Sequence, residues 1–340
     1  MKVIELNFLI IFPRVSIGLL RVYHYIMHKI FSLCGVLFAV AFCVLVASCE
    51  VSHKYECKKY LSGGYPVFPY NLDYPEKVHY LSISLEEVSA LSYWRDNSLM
   101  CVNDERGIVY EYNLDMNKIT QRYRFGKSGD YEGVEVVGED IYVLSSGGKI
   151  YKIMVSDKSE SPVRVQTYST PLSSRNNCEG LGYDRRTKSL LIALKGKAFL
   201  RKGKKGFRGV WGFSLINLKL DSLPRYVISL AKVREAMYSW ENKSEITLEK
   251  KRSESGKRSI NFRPSSISVH PLTGNIYLLG SVGKLLLILN HSGDLLGVVA
   301  LDPILFKQPE GLCFSPNGTL YISNEGRGGK ANILEFSYKR

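Results

Sequence analysis

A short pattern of carboxylates and hydroxyls recurs along the chain at regular distances. Two serines and three glutamates each begin a four-residue segment of similar type: Ser89, Glu132, Glu179, Ser265 and Glu310. Carboxylates held close together repel one another unless a cation or protons neutralise them, and carboxylate oxygens are ligands that Ca²⁺ prefers. If the fold brings these positions together, the pattern predicts a site for a hard cation or for acid–base chemistry.

The spacing of the segments predicts the fold. They recur about every 45 residues, and a period of about 40–50 residues with four short strands per unit is typical of a β-propeller. Each unit alternates apolar and polar residues between turn signals such as 271–274 and 316–318. We therefore predict an all-β, five-bladed β-propeller. The gap between Glu179 and Ser265 is nearly twice the period, so six blades are the alternative to five blades with a basic insertion at about 231–263.

The last unit, which begins at Glu310, ends one strand short. The segment Lys77–Ile83 precedes the first unit and has the pattern of an extended strand. We expect this N-terminal strand to close the last blade, because a closed ring leaves no open sheet edge.

In a propeller, the first strand of each blade lines the central channel and the second runs antiparallel beside it. The second strands then end where the first strands begin, which brings Asp104, Lys195 and Asn324 to the same mouth. Oxygen donors without histidine favour Ca²⁺ over zinc or copper. We predict Glu132, Glu179 and Glu310 as calcium ligands, supplemented by Asp104 and Asn324, with Ser89 and Ser265 on the same ring. In the alternative, each glutamate caps backbone amides of its own blade, and Lys195 offsets part of the charge.

Three functions are compatible with this site. The first is a module that binds a ligand or an envelope protein, with the cation at the channel mouth. The second is a metal-dependent hydrolase of lactones, esters or phosphoesters, for which Asp104 and Glu325 are the base candidates. The third is a purely structural protein. Because no nucleophile and base can be paired in the sequence, we favour binding over catalysis.

The N-terminal region has the pattern of an export signal. Met27–Lys29 precede the apolar run Ile30–Val46. The stretch Leu45–Cys49, which overlaps the end of this run, is similar to a bacterial lipobox. We predict a signal region over 1–48 with an alternative start at Met27, a lipid on Cys49, a tether over 49–76 and the propeller over 77–340. An uncleaved membrane anchor is the alternative. The lipid and the uncleaved anchor would each hold the protein at a membrane of the bacterial cell envelope, periplasmic or surface-facing. We expect the protein to be a monomer.

The charge and the cysteine content limit which partners and metal ions are compatible with the sequence. The formal net charge is +14, and much of the excess lies between Lys195 and Arg263. We expect a solvated basic loop there, or else attraction to an anionic surface, and no nucleic-acid binding because no aromatic-interleaved motif accompanies the charges. The cysteines after the lipobox form no CxxC pair, which argues against a zinc site. A bridge from Cys313 to Cys101 or Cys178 is left open.

Three segments resemble the SdiA-regulated family of bacterial envelope proteins. They are 177–184, with Asn-Cys-Glu-Gly-Leu-Gly-Tyr-Asp; 262–274, ending in His-Pro-Leu-Thr-Gly; and 308–326, with Gln-Pro-Glu-Gly-Leu and Leu-Tyr-Ile-Ser-Asn-Glu-Gly. The resemblance covers roughly 77–338 and implies a five-bladed propeller, related to phytase-like and NHL propellers, with a calcium ion at the family's acidic site. The basic insertion departs from the family's pattern, and the family implies no established reaction.

Overall fold

The computed structural model describes residues 29, 55–63, 65, 67–155, 163–201, 203, 205–241 and 260–339. The predicted lipidation site Cys49 and, apart from Lys29, the predicted signal region lie outside these residues. Residues 242–259 of the basic insertion also lie outside them. No helix among the described residues has the length and apolar character needed to cross a bilayer.

The described chain is almost entirely β structure. In chain order the strands are β1 (Lys58–Leu61), β2 (Lys77–Tyr80), β3 (Val88–Tyr93), β4 (Ser98–Asn103), β5 (Ile108–Asn113), β6 (Lys118–Arg124), β7 (Tyr131–Val137), β8 (Asp140–Ser145), β9 (Ile150–Met154), β10 (Arg164–Tyr168), β11 (Cys178–Asp184), β12 (Ser189–Leu194), β13 (Phe207–Ser214), β14 (Lys219–Leu220), β15 (Tyr226–Ser229), β16 (Ser266–Val269), β17 (Ile276–Gly280), β18 (Leu285–Leu289), β19 (Leu295–Ala300), β20 (Pro309–Phe314), β21 (Leu320–Asn324) and β22 (Asn332–Phe336). A 3₁₀ turn (Ile83–Leu85) precedes β3, and the helix α1 (Leu230–Glu241) follows β15.

Five antiparallel sheets form the ring, which confirms the prediction of five blades. Blades one and two are β3–β6 and β7–β10, blade three is β11–β15, blade four is β16–β19, and blade five is β20–β22 with β2. The innermost strands contact each other in the closed order β3, β7, β11, β16, β20 and back to β3. The wide gap in the repeat is filled by the third and fourth strands of blade three and by α1, not by a sixth blade. In blade three, β14 and β15 both pair with β13.

The N-terminal strand closes the ring as predicted. β2 is the outer strand of blade five and pairs antiparallel with β22, from Lys77 opposite Glu335 to Tyr80 opposite Asn332. The first and last strands of the propeller are thus held in one sheet, and β2 covers the edge of β22 that would otherwise be open.

The segment expected to be a tether differs from the prediction. From Tyr55 onward it belongs to the same compact unit as the propeller. β1 adds a fifth strand to blade four by pairing with β19. Phe68, Tyr70 and Leu72 are buried between blades four and five. The expected tether boundary at residue 76 is therefore wrong, because this irregular segment buries enough apolar surface to be part of the core.

A hydrogen-bonded chain fixes Tyr70 in this core. His270 Nδ1 accepts the amides of Leu272 and Thr273, which leaves Nε2–H to donate to the Tyr70 hydroxyl at 2.8 Å. Tyr70 in turn donates to the carbonyl of Gly318 at 2.7 Å. Burial lowers the pKa of His270 to about 4, so the imidazole is neutral here. His270 therefore has a structural role in this core.

Packing between neighbouring blades forms the core. One cluster, for example, joins Tyr142 and Leu144 of blade two to Leu181 and Leu190 of blade three. The four cysteines of the described residues are buried free thiols, so neither bridge left open by the sequence is formed: Cys57, Cys101, Cys178 and Cys313.

Candidate functional site at the channel mouth

The predicted ring residues occupy a special position in their strands. In four blades, an irregularity in the pairing of the first and second strands falls on the ring residue: Ser89, Glu132, Glu179 and Glu310. Between Tyr131 and Gly133, for example, Glu132 has no partner on the second strand. A bulge redirects the side chain of its extra residue, so the repeated position is where each first strand turns its side chain out of the regular pleat.

The glycine after each glutamate has a packing role. A Cβ on Gly180 would lie 2.8 Å from the backbone of Ser266 and Ile267 in the next blade. Only glycine lets the first strands of blades three and four approach this closely. The Glu-Gly pair therefore combines a redirected carboxylate with a tight contact between blades.

The two ring serines link neighbouring blades. Ser89 Oγ donates to the carbonyl of Tyr131 at 2.7 Å, and Ser265 Oγ donates to the carbonyl of Pro309 at 2.9 Å. Each accepting residue directly precedes a ring glutamate, so the serines fix where Glu132 and Glu310 begin their strands.

Glu179 is paired with Lys195. Its Oε2 lies 3.1 Å from Lys195 Nζ, and its Oε1 accepts a hydrogen bond of 2.7 Å from Asn177. The carboxylate is almost fully buried. Burial alone lowers the pKa of Lys195, but the carboxylates of Glu179, Glu310 and Glu132 raise it above its ordinary value. Lys195 is therefore a fixed positive charge inside the ring.

Burial raises the pKa of Glu179 to about 7 in spite of Lys195, and the pKa values of the other two ring glutamates are raised as well. Burial raises the pKa of Glu310 to about 7; Lys195 opposes this, while Glu179 and Glu325 add to it. Glu310 Oε1 also accepts a 2.5 Å hydrogen bond from Gln308. Burial, and then the negative charge of Glu179, raises the pKa of Glu132 well above its ordinary range. The ring glutamates thus affect one another electrostatically, as their predicted convergence requires.

Asp104 and Asn324 hold buried oxygens that lack a partner. Asp104 Oδ1 and Asn324 Oδ1 accept no hydrogen bond from any described residue, and the same is true of Ser281 Oγ at the end of β17. The Asn324 amide nitrogen donates to Leu305 O at 3.2 Å and Asn332 Oδ1 at 3.0 Å, which fixes the side chain and leaves its oxygen unpaired. Buried polar atoms in this state are rare and indicate an unseen water or ion.

An acidic rim surrounds this point, and it includes Glu87, which the sequence did not single out. The charges of Asp104, Glu105 and Glu325 raise the pKa of Glu87, which lies just before β3. Burial, Glu105 and Glu325 likewise raise the pKa of Asp104. Glu325 is 3.6 Å from Arg327. The two predicted base candidates, Asp104 and Glu325, thus belong to one cluster of negative charge. Acidic residues directly before β3 and after β4 were the available signal.

The fit of these residues to the calcium ion that the family implies is partial. Within the part of the chain that the structure describes, no group of three or more His, Cys, Asp or Glu side chains is arranged to hold a metal ion. Glu179 is already committed to Lys195 and Asn177. The unpartnered oxygens of Asp104 and Asn324, in contrast, are of the chemical type that Ca²⁺ binds.

The family model of the SdiA-regulated family matches residues 70–198. The matched stretch contains the motif around Glu179 and confirms the resemblance to this family over residues 70–198. The motifs at 262–274 and 308–326 lie outside the matched stretch. No curated protein matches the sequence significantly.

Several solved structures share the general architecture. Glutaminyl cyclase from Myxococcus xanthus is 12% identical, with a TM-score of 0.49 over 78% of this chain and 96% of that chain. A luciferin-regenerating enzyme is 10% identical, with a TM-score of 0.46 over 78% and 95%. The PQQ-bound aldose sugar dehydrogenase from Streptomyces coelicolor is 10% identical, with a TM-score of 0.46 over 83% and 98%. At these values the similarities carry no argument about function.

Proposed function

We propose that this protein is a binding module of the bacterial cell envelope whose channel mouth takes a hard cation, Ca²⁺ in the first place. Asp104 and Asn324 would bind the ion, with Glu132 and Glu310 supplying negative charge beside it. The observation that carries the proposal is the pair of buried, unpartnered oxygens, Asp104 Oδ1 and Asn324 Oδ1. A buried acceptor without a partner costs about 1–3 kcal/mol, which a bound cation would offset.

The charge of the ring supports a divalent ion. When ionised, Glu132, Glu179 and Glu310 carry three negative charges, and Lys195 balances one of them through its ion pair with Glu179. The proposed ligand Asp104 adds a third negative charge to those left on Glu132 and Glu310, so the mouth favours a divalent over a monovalent ion. In this proposal Glu179 holds Lys195 in place instead of binding the ion.

Thermal unfolding of the full chain tests this proposal. An ion that binds only the folded state stabilises it by about 1.5–3 kcal/mol at ten to a hundred times its Kd. We expect Ca²⁺ to raise the Tm relative to chelator in the wild type, and Asp104→Asn to remove most of this increase. Asp115→Asn, at an exposed acid on the opposite end of blade one, is the matched control and should keep it. Equal Tm values with Ca²⁺ and with chelator would exclude a calcium site.

The proposal includes a lipid on Cys49, which rests on the lipobox-like sequence 45–49. Mass spectrometry of the N-terminal peptide of the wild type should show a chain that begins at a lipid-modified Cys49, and Cys49→Ser should lose both the lipid and the cleavage. A wild-type chain that keeps residues 30–48 and carries no lipid would favour an uncleaved anchor instead.

A further inference from the structure

The end of blade three opposite the mouth carries an exposed apolar tip surrounded by cations. The turn that joins β13 to β14 exposes Ile216 by 73% and Leu218 by 46%, and Leu223 just beyond β14 is 73% exposed. The turn that joins β11 to β12 lies at the same end, because both turns follow strands that run away from the mouth. We call this set the blade-three tip: Ile216, Leu218 and Leu223 with Arg186, Lys188 and Lys219.

The tip is held in place by specific contacts. Arg225 forms an ion pair with Asp221 at 2.7 Å and donates to Thr187 Oγ1, also at 2.7 Å. The amide of Leu215 donates to the carbonyl of Lys188 at 3.0 Å. These contacts tie the two turns and the segment after β14 together, so the apolar side chains project from a fixed base.

Blade one offers a direct comparison within the same molecule. Its turn between β5 and β6 has the same length as the turn in blade three and ends in Asn117 with φ +50°, where blade three has Leu218 with φ +58°. Asparagine adopts this left-handed conformation more readily than leucine does. The exposed positions of the blade-one turn are Asp115, Met116 and Asn117. Blade three thus places leucine in a disfavoured conformation at a site where the chain itself does not bury it.

The cations of the tip are available to a partner. Arg186, Lys188 and Lys219 are exposed and form no ion pair within the described part of the chain. The acids nearby are engaged, since Asp184 is buried and accepts hydrogen bonds from its own turn and Asp221 is paired with Arg225. The tip therefore combines protruding apolar groups with unbalanced positive charge.

We propose that the blade-three tip docks on a bilayer that contains anionic phospholipids. Apolar side chains that protrude beyond basic residues can enter the region between headgroups and acyl chains while the cations meet lipid phosphates. Positive charge around the apolar groups complements an anionic lipid surface. Because the tip lies at the opposite end from the mouth, this docking does not depend on the cation site.

Local fluorescence on the full chain tests the docking. An environment-sensitive fluorophore on Ser222→Cys, an exposed position in the tip, should shift to the blue with vesicles of phosphatidylglycerol and phosphatidylcholine. With pure phosphatidylcholine the shift should be much smaller. The unsubstituted chain, labelled in the same way, gives the background from native cysteines, and the four described ones are buried. Every variant keeps the same N-terminus, so the difference reports blade three itself.

Two sets of variants complete the test. Ile216→Ser combined with Leu218→Asn should raise the lipid concentration at which half of the blue shift is reached at least tenfold. Met116→Ser in blade one should leave this concentration unchanged. Arg186→Gln and Lys188→Gln should each raise it about fivefold at low salt. No blue shift, an equal shift with neutral vesicles, or no effect of the Ile216 and Leu218 replacements would overturn the proposal. Unaltered circular dichroism and urea unfolding of the variants would establish that their fold is intact.

Discussion

Replacing Glu310 by glutamine tests the electrostatics of the mouth. In the wild type, Gln308 Nε2 donates to Glu310 Oε1 at 2.5 Å, and an amide oxygen in the same place can accept this hydrogen bond. The replacement therefore removes the negative charge and keeps the shape and the hydrogen bond.

The magnitude follows from the pKa of Glu310. Burial raises it from 4.5 to about 7, so the folded state holds the proton more tightly than the unfolded state does. The contribution of this group to the free energy of unfolding is then greatest below pH 4.5 and is lost as the pH rises through 7. The difference between the two pKa values corresponds to at most about 3 kcal/mol. At pH 8 in chelator, we expect Glu310→Gln to be about 1–3 kcal/mol more stable than the wild type.

Urea unfolding, followed by tryptophan fluorescence at pH 5 and pH 8, is the assay. At pH 5 the two proteins should differ by only about a quarter of the difference at pH 8, because Glu310 is then protonated in the folded state and already partly ionised in the unfolded state. Glu139→Gln, at a highly exposed position, is the control and should change stability at neither pH. If Glu310→Gln is no more stable than the wild type at pH 8, or if the gain is equal at both pH values, the electrostatic argument is wrong.

Three further changes test the packing and pairing. Lys195→Met should lower the free energy of unfolding in urea by about 2–4 kcal/mol at pH 8, because it leaves Glu179 buried without its cation. Adding Glu179→Gln should restore most of the lost stability, and no restoration would contradict the pairing. Tyr70→Phe should cost about 1–2 kcal/mol in the same assay, since His270 loses its acceptor; an unchanged urea midpoint would show that this chain of hydrogen bonds is unimportant. Gly180→Ala should cost about 1–3 kcal/mol through the clash with the next blade, and a thermal unfolding midpoint equal to that of the wild type would contradict the close approach.

The blades could be predicted because their signals are local. In blades four and five, the predicted turns 271–274 and 316–318 lie between the first and second strands of their blades, as observed. The closure of the ring by Lys77–Tyr80 could also be predicted, because the last blade lacked a fourth strand and this extended segment was available to supply it.

The N-terminal segment could not be predicted in the same way. β1 is only four residues long, and the apolar side chains of Phe68, Tyr70 and Leu72 follow no regular strand pattern over a whole element. Their burial depends on a groove between blades four and five that exists only once the ring is closed. Nothing in the local sequence distinguishes such a segment from a linker.

The convergence of the ring glutamates could be predicted from the repeat, but their side-chain contacts could not. The repeat brought Glu132, Glu179 and Glu310 to one end, and their mutual effects on pKa agree with this. The sequence also placed Lys195 there, but the choice of Glu179 as its partner depends on side-chain geometry across two strands. The bulges at four of the five ring residues could not be predicted either, because a one-residue irregularity shifts the strand register without changing the composition.

A crystal structure of the full chain grown with Ca²⁺ tests the central claim most directly. We predict one ion at the mouth, within about 2.3–2.6 Å of Asp104 Oδ1 and Asn324 Oδ1, with Lys195 still paired to Glu179. Both oxygens hydrogen-bonded to ordered water at saturating Ca²⁺, with no ion bound there, would contradict the claim.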